Sequence, residues 1–322
     1  MRIATFNLEN LGETRAGDLP VARRLDRLRP QLLRLEADVI CFQEVNAPRD
    51  GHGGRSLAPL DLLLEGTPYA GYGRCATHRP GGTGPTDRHN LVILSRLPLL
   101  ACSQVFHDRV PPPRHGLLRD GHDAGADLEW ERPLLHAVLG LAGGRRLHVL
   151  NLHLRAPLAV SLPGRKTGPF SWADTASWAE GFLIAAIKRS GQALEARLTV
   201  ETILDEEPGA LILVAGDFNA EAAETPTRIL MAGTDDTGNP GLASRALLAP
   251  EHGLPPERRY SVIHGGVHVM LDHLLASPAL MAACRGMEIH NESLRDELAA
   301  FTAGGQSPES FHAPVVATFD LA

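Results

Sequence analysis

The sequence predicts an α+β fold in which two packed β-sheets carry helices on their outer sides. Two observations support this prediction. Short apolar runs rich in Val, Ile, Leu and Phe recur along the chain, each with the length of a strand and each ended by polar residues. Helical stretches lie between these runs, but they do not alternate strictly with the strands as they would in a parallel α/β fold.

The predicted strands are, in chain order, 3–8, 38–42, 90–94, 134–141, 147–154, 210–215, 269–276 and 314–319. A helix is predicted over 21–35, where leucines recur at helical spacing and arginines occupy the other face. A second, long helical pattern covers 177–204. Gly- and Pro-rich stretches do not introduce a new, self-sufficient set of elements. We therefore expect one domain over 1–322, with an insertion at about 155–190.

Composition and charge restrict the function classes. The 322 residues are 43% hydrophobic and 21% charged, which excludes wholesale disorder. A net charge of −7 argues against a tight, sequence-independent grip on nucleic acid, because such binding depends on Lys and Arg neutralising phosphates. A local basic groove on an acidic body stays possible. The chain has no His-Glu-x-x-His motif, which argues against a zinc protease.

The cysteines and the apolar runs bear on the compartment. The four cysteines are Cys41, Cys75, Cys102 and Cys284, with no Cys-x-x-Cys pair. We expect all four to be reduced thiols in a cytoplasmic protein. The N-terminal residues read as a strand rather than a signal peptide, and no apolar run approaches the ~20 residues that cross a bilayer.

Polar residues that are able to bind a metal or move a proton recur at the ends of the predicted strands. They are Asn7, Glu44, His153, Asp217, Asn219, Asp272 and His312. Taken singly, each has a simpler explanation: Asp217 suits the cap of a turn, and His153 suits a hydrogen-bonded histidine of the core. Taken together, carboxylates and amides suit Mg²⁺, which prefers oxygen ligands. Histidines and carboxylates also supply the base that water needs to attack a phosphate ester.

The same segments, in the same order, resemble the endonuclease/exonuclease/phosphatase superfamily, which includes deoxyribonucleases, abasic-site endonucleases, neutral sphingomyelinases and inositol polyphosphate phosphatases. The most specific match is the segment 216–220, Gly-Asp-Phe-Asn-Ala. The segments 6–10, 43–45 and 90–96 match as well, and the resemblance extends from Thr5 to Pro314. It implies a four-layer α/β/β/α sandwich of two mixed sheets and metal-dependent hydrolysis of a phosphate ester.

The resemblance also implies how the metal and the water would be held. Glu44 would bind the essential Mg²⁺ or Mn²⁺ directly, with Asn7 beside it. Asp217 would help to orient the attacking water, and Asn219 would donate a hydrogen bond to a phosphate oxygen.

By the same resemblance, His312 would act on that water or on the transition-state oxygens. Asp272 would hold the tautomer of His312, as a carboxylate does in other Asp–His pairs. His153 would contact the phosphate from the other side and protonate the leaving group. Asn90 occupies a position near which family members support the phosphate or the histidine at position 153.

One position departs from the family pattern. The last motif usually reads Ser-Asp-His, but here it is Ser310-Phe311-His312, so a carboxylate is missing. We expect one tightly bound divalent ion, on Glu44 and Asn7, instead of two. The alternative is that Glu309 takes over the missing ligand position.

The stretch 155–190 follows His153 directly and is expected to set substrate specificity. It contains Arg165 and Lys166 beside aromatic residues that include Trp172, a combination that suits a phosphate-bearing ligand with a base or sugar. The alternative is that the aromatic residues pack this insertion onto the body of the protein.

Two hypotheses about function remain. The first is a Mg²⁺-dependent hydrolase, a phosphodiesterase or nuclease ahead of a phosphomonoesterase acting on a small molecule or a lipid headgroup. The second is a catalytically inactive binding module of the same fold. The retained site residues favour the first hypothesis. The expected partner is a phosphate-ester substrate, nucleic acid or a nucleotide among the candidates.

Overall fold

The computed structural model describes residues 1–51, 53–118, 125–302 and 307–321. Its strands are β1 Arg2–Leu11, β2 Val39–Val45, β3 Gly73–Ala76, β4 Asn90–Ser95, β5 Leu99–Val105, β6 Arg114–His115, β7 Ala126–Asp127, β8 Leu134–Gly140, β9 Arg146–His153, β10 Leu211–Asp217, β11 Val262–His264, β12 Val267–Val269, β13 Asp272–Ala276, β14 Cys284–Ile289 and β15 Val315–Phe319. Its α-helices are α1 Val21–Arg34, α2 Ala58–Leu64, α3 Thr175–Glu206, α4 Thr225–Met231, α5 Thr234–Thr237, α6 Pro278–Met281 and α7 Glu297–Thr302.

Two large sheets share one pairing pattern. The first has the strand order β14-β15-β1-β2-β4-β3, and the second has the order β13-β10-β9-β8-β5. In the first sheet β1 and β2 are parallel, and antiparallel strands β15 and β4 flank them. In the second, β9 and β10 are parallel between antiparallel β8 and β13. Both sheets are therefore mixed.

The four layers follow from the alternation of side chains along the strands. Ile3 of β1 and Leu213 of β10 belong to one buried cluster between the sheets, whereas their neighbours Ala4 and Ile212 face the opposite way. The outer face of the first sheet is covered by α1 and α2, and the outer face of the second by α3. The predicted α/β/β/α sandwich is confirmed.

A buried polar network ties the two sheets together. The Nε2 of Gln43 in β2 donates to Oδ1 of Asn151 in β9 at 2.7 Å. Asn151 in turn donates to the carbonyl oxygens of Phe42 at 2.9 Å and Val92 at 3.2 Å. Buried polar groups with partners on both sides fix the alignment of the elements that carry them. The network therefore fixes where the ends of β2 and β9 lie relative to each other.

The structure differs from the predicted elements mainly at the sheet edges. The edge strands β3, β5 and β14 were not predicted; most of their residues are at least partly exposed. The predicted strand 269–276 is divided between β12 and β13. The long helix begins two residues earlier than predicted, because the Oδ1 of Asp174 accepts the Ser177 N–H at 2.8 Å and caps it.

The expectation that all four cysteines are reduced thiols is wrong for one pair. Cys75 in β3 and Cys102 in β5 form a disulfide with Cα atoms 5.6 Å apart, while Cys41 and Cys284 are free. Their spacing of 27 residues gave no indication of this, because the fold brings the edge strands of two different sheets together. The thiols therefore no longer support a cytoplasmic location.

Within the described residues, the helices include none whose length and apolar character would let it cross a membrane.

Candidate active site

The candidate site residues lie at one edge of the paired sheets. Asn7 and Glu44 lie near the carboxyl ends of the parallel strands β1 and β2, and His153 and Asp217 end the parallel strands β9 and β10. Because β13 runs antiparallel to β10, its first residue, Asp272, pairs with Asp217. The carboxyl ends of parallel strands meet at one edge of a sheet, and so the chain topology gathers these groups.

Left-handed backbone conformations concentrate at this edge. Eight non-glycine residues of the described chain have a positive φ, and five lie in the segments that carry the site. They are Glu9, Asn10, Glu44, His89 and Asn219. Such conformations cost about 1–3 kcal/mol each and persist where the surrounding structure imposes them. Here Arg24 of α1 holds one of them, since its guanidinium donates to the carbonyl oxygen of Glu9 at 2.7 Å.

Gly216 lets β10 approach β9 just before Asp217. Its φ is +142°, and a Cβ at this position would lie 2.0 Å from the carbonyl oxygen of Leu152. A larger residue would therefore push apart the two strands that carry Asp217 and His153.

The carboxylate of Asp217 is the centre of the site. Its Oδ2 accepts hydrogen bonds from Nδ2 of Asn7 at 2.9 Å and from Nδ2 of Asn219 at 3.2 Å. Its Oδ1 accepts the backbone N–H of Asn219 at 2.9 Å. The Nε2 of His153 lies 3.4 Å from Oδ2, and the Nε2 of His312 lies 4.0 Å from it. Four of the predicted site residues therefore surround one buried carboxylate.

His312 forms the expected pair with Asp272. Its Nδ1 lies 2.8 Å from Oδ2 of Asp272, which is fully buried. Burial alone would lower the pKa of His312, but the charges of Asp272 and Asp217 outweigh this effect and hold it well above its usual range. His312 is therefore an imidazolium that presents Nε2–H towards Asp217.

The two carboxyl groups nearest the histidines have opposite pKa shifts. Burial raises the pKa of Asp217 to about 7, so this group exchanges a proton near neutral pH. Burial would also raise the pKa of Glu44, but its basic neighbours His89, Arg132 and His312 together with the Asn7 amide outweigh burial and lower it. Glu44 is therefore the ionised carboxylate and Asp217 the one suited to accept a proton.

The carboxylate of Glu44 is also a candidate oxygen ligand for a cation. Its Oε2 accepts the Asn10 N–H at 2.9 Å, and its Oε1 lies 3.3 Å from Nδ2 of Asn7. Two groups in the described chain have side-chain atoms close enough to hold an ion: Glu44 with His89 and His153, and Asp217 with Asp272 and His312. Asn7 turns its amide nitrogen to both carboxylates, while its Oδ1 accepts the Glu9 N–H at 2.8 Å.

Two residues beside Glu44 were missed by the sequence reasoning. The ring of His89 stacks on that of His153, with centroids 5.8 Å apart. The Nη2 of Arg132 lies 3.0 Å from Nδ1 of His89, and its Nη1 donates to the carbonyl oxygens of His153 at 3.3 Å and Leu154 at 3.2 Å. The available signal for His89 was its position directly before the segment 90–96, which resembles the family.

Glu9 is the third residue that the sequence reasoning missed. Its carboxylate, and not that of Glu309, lies at the backbone of Phe311. Its Oε2 accepts the backbone N–H of Phe311 at 2.8 Å, and burial raises its pKa to about 7. Glu309 instead forms ion pairs with Arg295 at 3.3 Å and Arg27 at 3.9 Å. In this arrangement the carboxylate of Glu309 faces these arginines, and the carboxylate of Glu9 is the one held at Phe311. Glu9 was visible in the sequence, two residues after Asn7.

The side chain of Asn90 is occupied by its own loop. Its Nδ2 donates to the carbonyl oxygens of Val45 at 2.9 Å and Thr86 at 3.0 Å, and its Oδ1 accepts the Thr86 N–H at 2.9 Å. Asn90 is fully buried and supports the turn that carries His89. The structure thus places it behind the site rather than against the carboxylates.

The segment 165–173 forms a loop that packs on α3. The Nζ of Lys166 lies 5.3 Å from the ring centroid of Trp172 and donates to the carbonyl oxygen of Pro169. Trp172 is half-buried and so close to Gly181 of α3 that a Cβ there would lie 3.0 Å from its ring. Arg165 joins the same loop through its backbone, which pairs with Leu162 and Ala173. These contacts attach the loop to α3.

The loop 111–127 is described only in part. His115 lies 2.9 Å from the buried Glu180 of α3. His122 lies outside the described residues.

Residues 4–294 match the profile of the Endonuclease/Exonuclease/phosphatase family. No curated protein matches the chain.

Several solved structures have a similar fold. An AP endonuclease from Archaeoglobus fulgidus has a TM-score of 0.56 and 16% identity, over 100% of both chains. The 3'-5' exonuclease NExo from Neisseria meningitidis has a TM-score of 0.56 and 16% identity, over 99% of this chain and 100% of that one. A mannosyl-6-phosphatase from Bacteroides thetaiotaomicron has a TM-score of 0.57 and 13% identity, over 100% of both chains. The family match covers most of the chain, and we conclude that this protein belongs to the endonuclease/exonuclease/phosphatase family of phosphate-ester hydrolases.

Proposed function

We propose that the protein is a Mg²⁺-dependent phosphodiesterase or nuclease that hydrolyses its substrate by attack of water. The observation that carries the proposal is the surroundings of Asp217: two asparagine amides donate to it and two histidines lie within 4.0 Å. A buried carboxylate with these neighbours is equipped to take a proton from water beside a phosphate.

The donor set fits a hard divalent cation. Glu44 is an ionised carboxylate, and Glu9 and Asp217 are buried acids whose pKa values are raised by burial. Buried acids of this kind have too little positive charge around them, and a cation would supply it. We propose that Glu44 holds the ion, with Asn7 beside it and Glu9 as a further oxygen ligand. The bound ion would polarise the phosphate and stabilise the charge that develops on its oxygens.

The proton chemistry then falls to residues of the second sheet and of the segment before β15. Asp217 takes a proton from the attacking water while the bond from phosphorus to the leaving oxygen breaks, and that oxygen leaves as an anion that takes its proton from solvent. His312, held as an imidazolium by Asp272, donates Nε2–H to the phosphate oxygens that gain charge. Asn219 would contribute a further donor if its Nδ2, which now donates to the carbonyl oxygen of Leu154 and to Asp217, turns towards the phosphate. His153 is neutral, since burial lowers its pKa well below the usual range, and it contacts the phosphate from the side of Glu44.

A phosphomonoesterase is the second candidate, and one observation favours it. The net charge of −7 does not favour a long nucleic acid as the substrate, whereas a small phosphate ester needs only the site itself. Similarity in fold extends to both kinds of enzyme, since solved structures of comparable TM-score include a 3'-5' exonuclease and a mannosyl-6-phosphatase. A direct assay must separate them.

The experiment compares hydrolysis of bis(p-nitrophenyl) phosphate with that of p-nitrophenyl phosphate, in Mg²⁺ and in EDTA. A diesterase is expected to prefer the first ester, lose activity in EDTA, and lose about 10²-fold or more in Asp217→Asn. Preference for the second ester would establish the monoesterase. Absence of Mg²⁺-dependent turnover of either ester, or of DNA and RNA oligonucleotides, would leave the inactive binding module as the correct alternative.

A further inference from the structure

The turn before β4 presents His89, an imidazole for which the proposed reaction has no role so far. Its backbone is left-handed, with a φ of 60°, and its N–H donates to Oδ1 of Asn46 at 3.0 Å. The next residue, Asn90, clamps the same turn through hydrogen bonds to Thr86 and Val45. A strained backbone fixed from both sides indicates that the position of this side chain matters.

The ring of His89 lies beside the carboxylates of the site. It stacks on the ring of His153 at an angle of 14°. One nitrogen of His89, one nitrogen of His153 and one carboxylate oxygen of Glu44 lie within 4.8 Å of one another. A substrate phosphate held beside Glu44 and His153 would therefore lie within reach of His89.

Arg132 fixes the tautomer of His89. A guanidinium has only donors, so Nη2 of Arg132, at 3.0 Å, donates to Nδ1 of His89. The hydrogen-bond network thus assigns the lone pair to Nδ1 and the proton to Nε2. Arg132 is itself held by the carbonyl oxygens of His153 and Leu154. In the described chain no carboxylate lies within ion-pair distance of it.

We propose that His89 is a catalytic residue that donates its Nε2–H to a non-bridging oxygen of the substrate phosphate, with Arg132 as the positioning residue. The inference rests on the proposed function. The donor is already oriented before substrate binds, so the developing charge is stabilised at no cost of reorganisation. The ring donates a hydrogen bond but does not transfer its proton, because losing Nε2–H while Nδ1 accepts from Arg132 would leave an imidazolate.

The same tautomer keeps His89 from binding a metal. The lone pair of Nδ1 accepts from Arg132, and Nε2 carries the proton, so neither nitrogen is free to coordinate. We therefore do not expect His89 to bind a metal ion, although a carboxylate and another histidine lie close to it.

The test uses His89→Gly, because glycine adopts the left-handed backbone without strain and the variant removes only the ring. His107→Gly is the matched control, since His107 has a φ of 59° but its ring packs on Trp130 with centroids 3.7 Å apart. Thermal melts establish that both variants fold. The kcat of each is then measured on diesters with nitrophenyl and alkyl leaving groups, across a Mn²⁺ titration, with and without added imidazole.

We expect His89→Gly to lower kcat by about 10²-fold, by the same factor for both leaving groups, with the half-saturating Mn²⁺ concentration unchanged. Imidazole is expected to restore part of the activity by filling the vacated space, and His107→Gly is expected to match the wild type per folded molecule. Activity of His89→Gly within a few-fold of the wild type would overturn the inference.

Two other results would replace the inference with a different role. A much larger loss for the alkyl leaving group would show that His89 transfers a proton. A rise in the half-saturating Mn²⁺ concentration would show that it is a metal ligand. If the wild-type protein has no phosphoesterase activity, the proposed function is wrong. If the wild type is active and His89→Gly is equally active, only the inference about His89 is wrong.

Discussion

Two histidine pairs border the carboxylates of the site, and their partners carry opposite charges. The Nδ1 of His312 lies 2.8 Å from the carboxylate of Asp272, whereas the Nδ1 of His89 lies 3.0 Å from the guanidinium of Arg132. The first ring is an imidazolium because its pKa is held well above the usual range by the neighbouring carboxylates. The second is neutral, since burial lowers the pKa of His89 to about 4.

The difference shows that the partner of Nδ1 decides what an imidazole offers at Nε2. A carboxylate partner makes the ring a positively charged donor, and a guanidinium partner makes it a neutral donor of fixed tautomer. Each ring thus presents N–H to the site, but only His312 brings a positive charge with it. Variants that affect one pair and spare the other test this comparison.

The largest loss is expected from His312→Gln. Glutamine keeps a donor of similar reach but carries no positive charge to stabilise the phosphate oxygens, so kcat on bis(p-nitrophenyl) phosphate should fall about 10³-fold. This loss should exceed that of His89→Gly. Equal losses in the two variants would break the comparison, because they would assign both rings the same role.

A smaller loss with a changed pH dependence is expected from Asp272→Asn. The variant keeps an oxygen acceptor for Nδ1 but removes the charge that holds the pKa of His312 high. Activity that requires the imidazolium is lost as pH rises through this pKa, so the alkaline limb of the rate profile should move to lower pH. We expect kcat to fall about 10²-fold at pH 8 and less at pH 6. If the alkaline limb of the pH–rate profile of Asp272→Asn does not move, Asp272 positions the ring of His312 without raising its pKa.

Glu9→Gln removes a buried acid close to His312, and its effect is measured on the free energy of unfolding instead of on activity. The pKa of Glu9 is raised by burial from 4.5 to about 7, so the folded state holds this proton more tightly than the unfolded chain. The resulting stability is fully present below pH 4.5 and is lost as pH rises through about 7.

Glutamine does not titrate, and its oxygen still accepts the Phe311 N–H. In metal-free solution Glu9→Gln should therefore be more stable than the wild type at pH 8, by about 1–3 kcal/mol, with a flatter pH dependence between pH 4 and 7. Urea denaturation at several pH values measures this. If the free energies of unfolding of the two proteins depended on pH in the same way, nearby positive groups would already compensate the buried charge of Glu9.

The smallest effect on the chemistry is expected from Trp172→Ala, which lies in a loop apart from both histidine pairs. Loss of the ring frees the loop 165–173 from α3 and disturbs Lys166, which lies over it. We expect kcat on a small nitrophenyl ester to change less than about twofold, and KM for a nucleotide or oligonucleotide substrate to rise about tenfold. Equal changes on small and bulky substrates would indicate that the loop stabilises the fold only.

How much the sequence predicted depends on the kind of residue. The segments around Asn7, Glu44 and Asp217 were found because a strand period and a polar ending are local features. Glu9 and Arg132 were missed for a different reason. Glu9 matters because Phe311, about 300 residues later, donates its N–H to it, and Arg132 matters because its guanidinium reaches the turn at His89.

Phe311 illustrates both sides of this limit. Its replacement of a family carboxylate was visible in the sequence, and it predicted one tightly bound ion. The sequence could not show that Glu309 turns outwards to Arg295 while Glu9 occupies the inner side. Glu309 is close to Phe311 in the sequence, whereas Glu9 is close to it in the folded structure. Which of the two acids lies beside Phe311 therefore depends on tertiary packing.

The sequence by itself determined the family, the alternation that builds two sheets with helices outside, and the polar residues at the strand ends, because each is encoded in short runs. Only the tertiary structure decided which nitrogen of His89 carries a proton, which acids are buried, and that Cys75 and Cys102 meet across two sheet edges. Tautomers, pKa values and disulfides depend on distances between groups far apart in the chain, and those distances exist only once the sheets have packed.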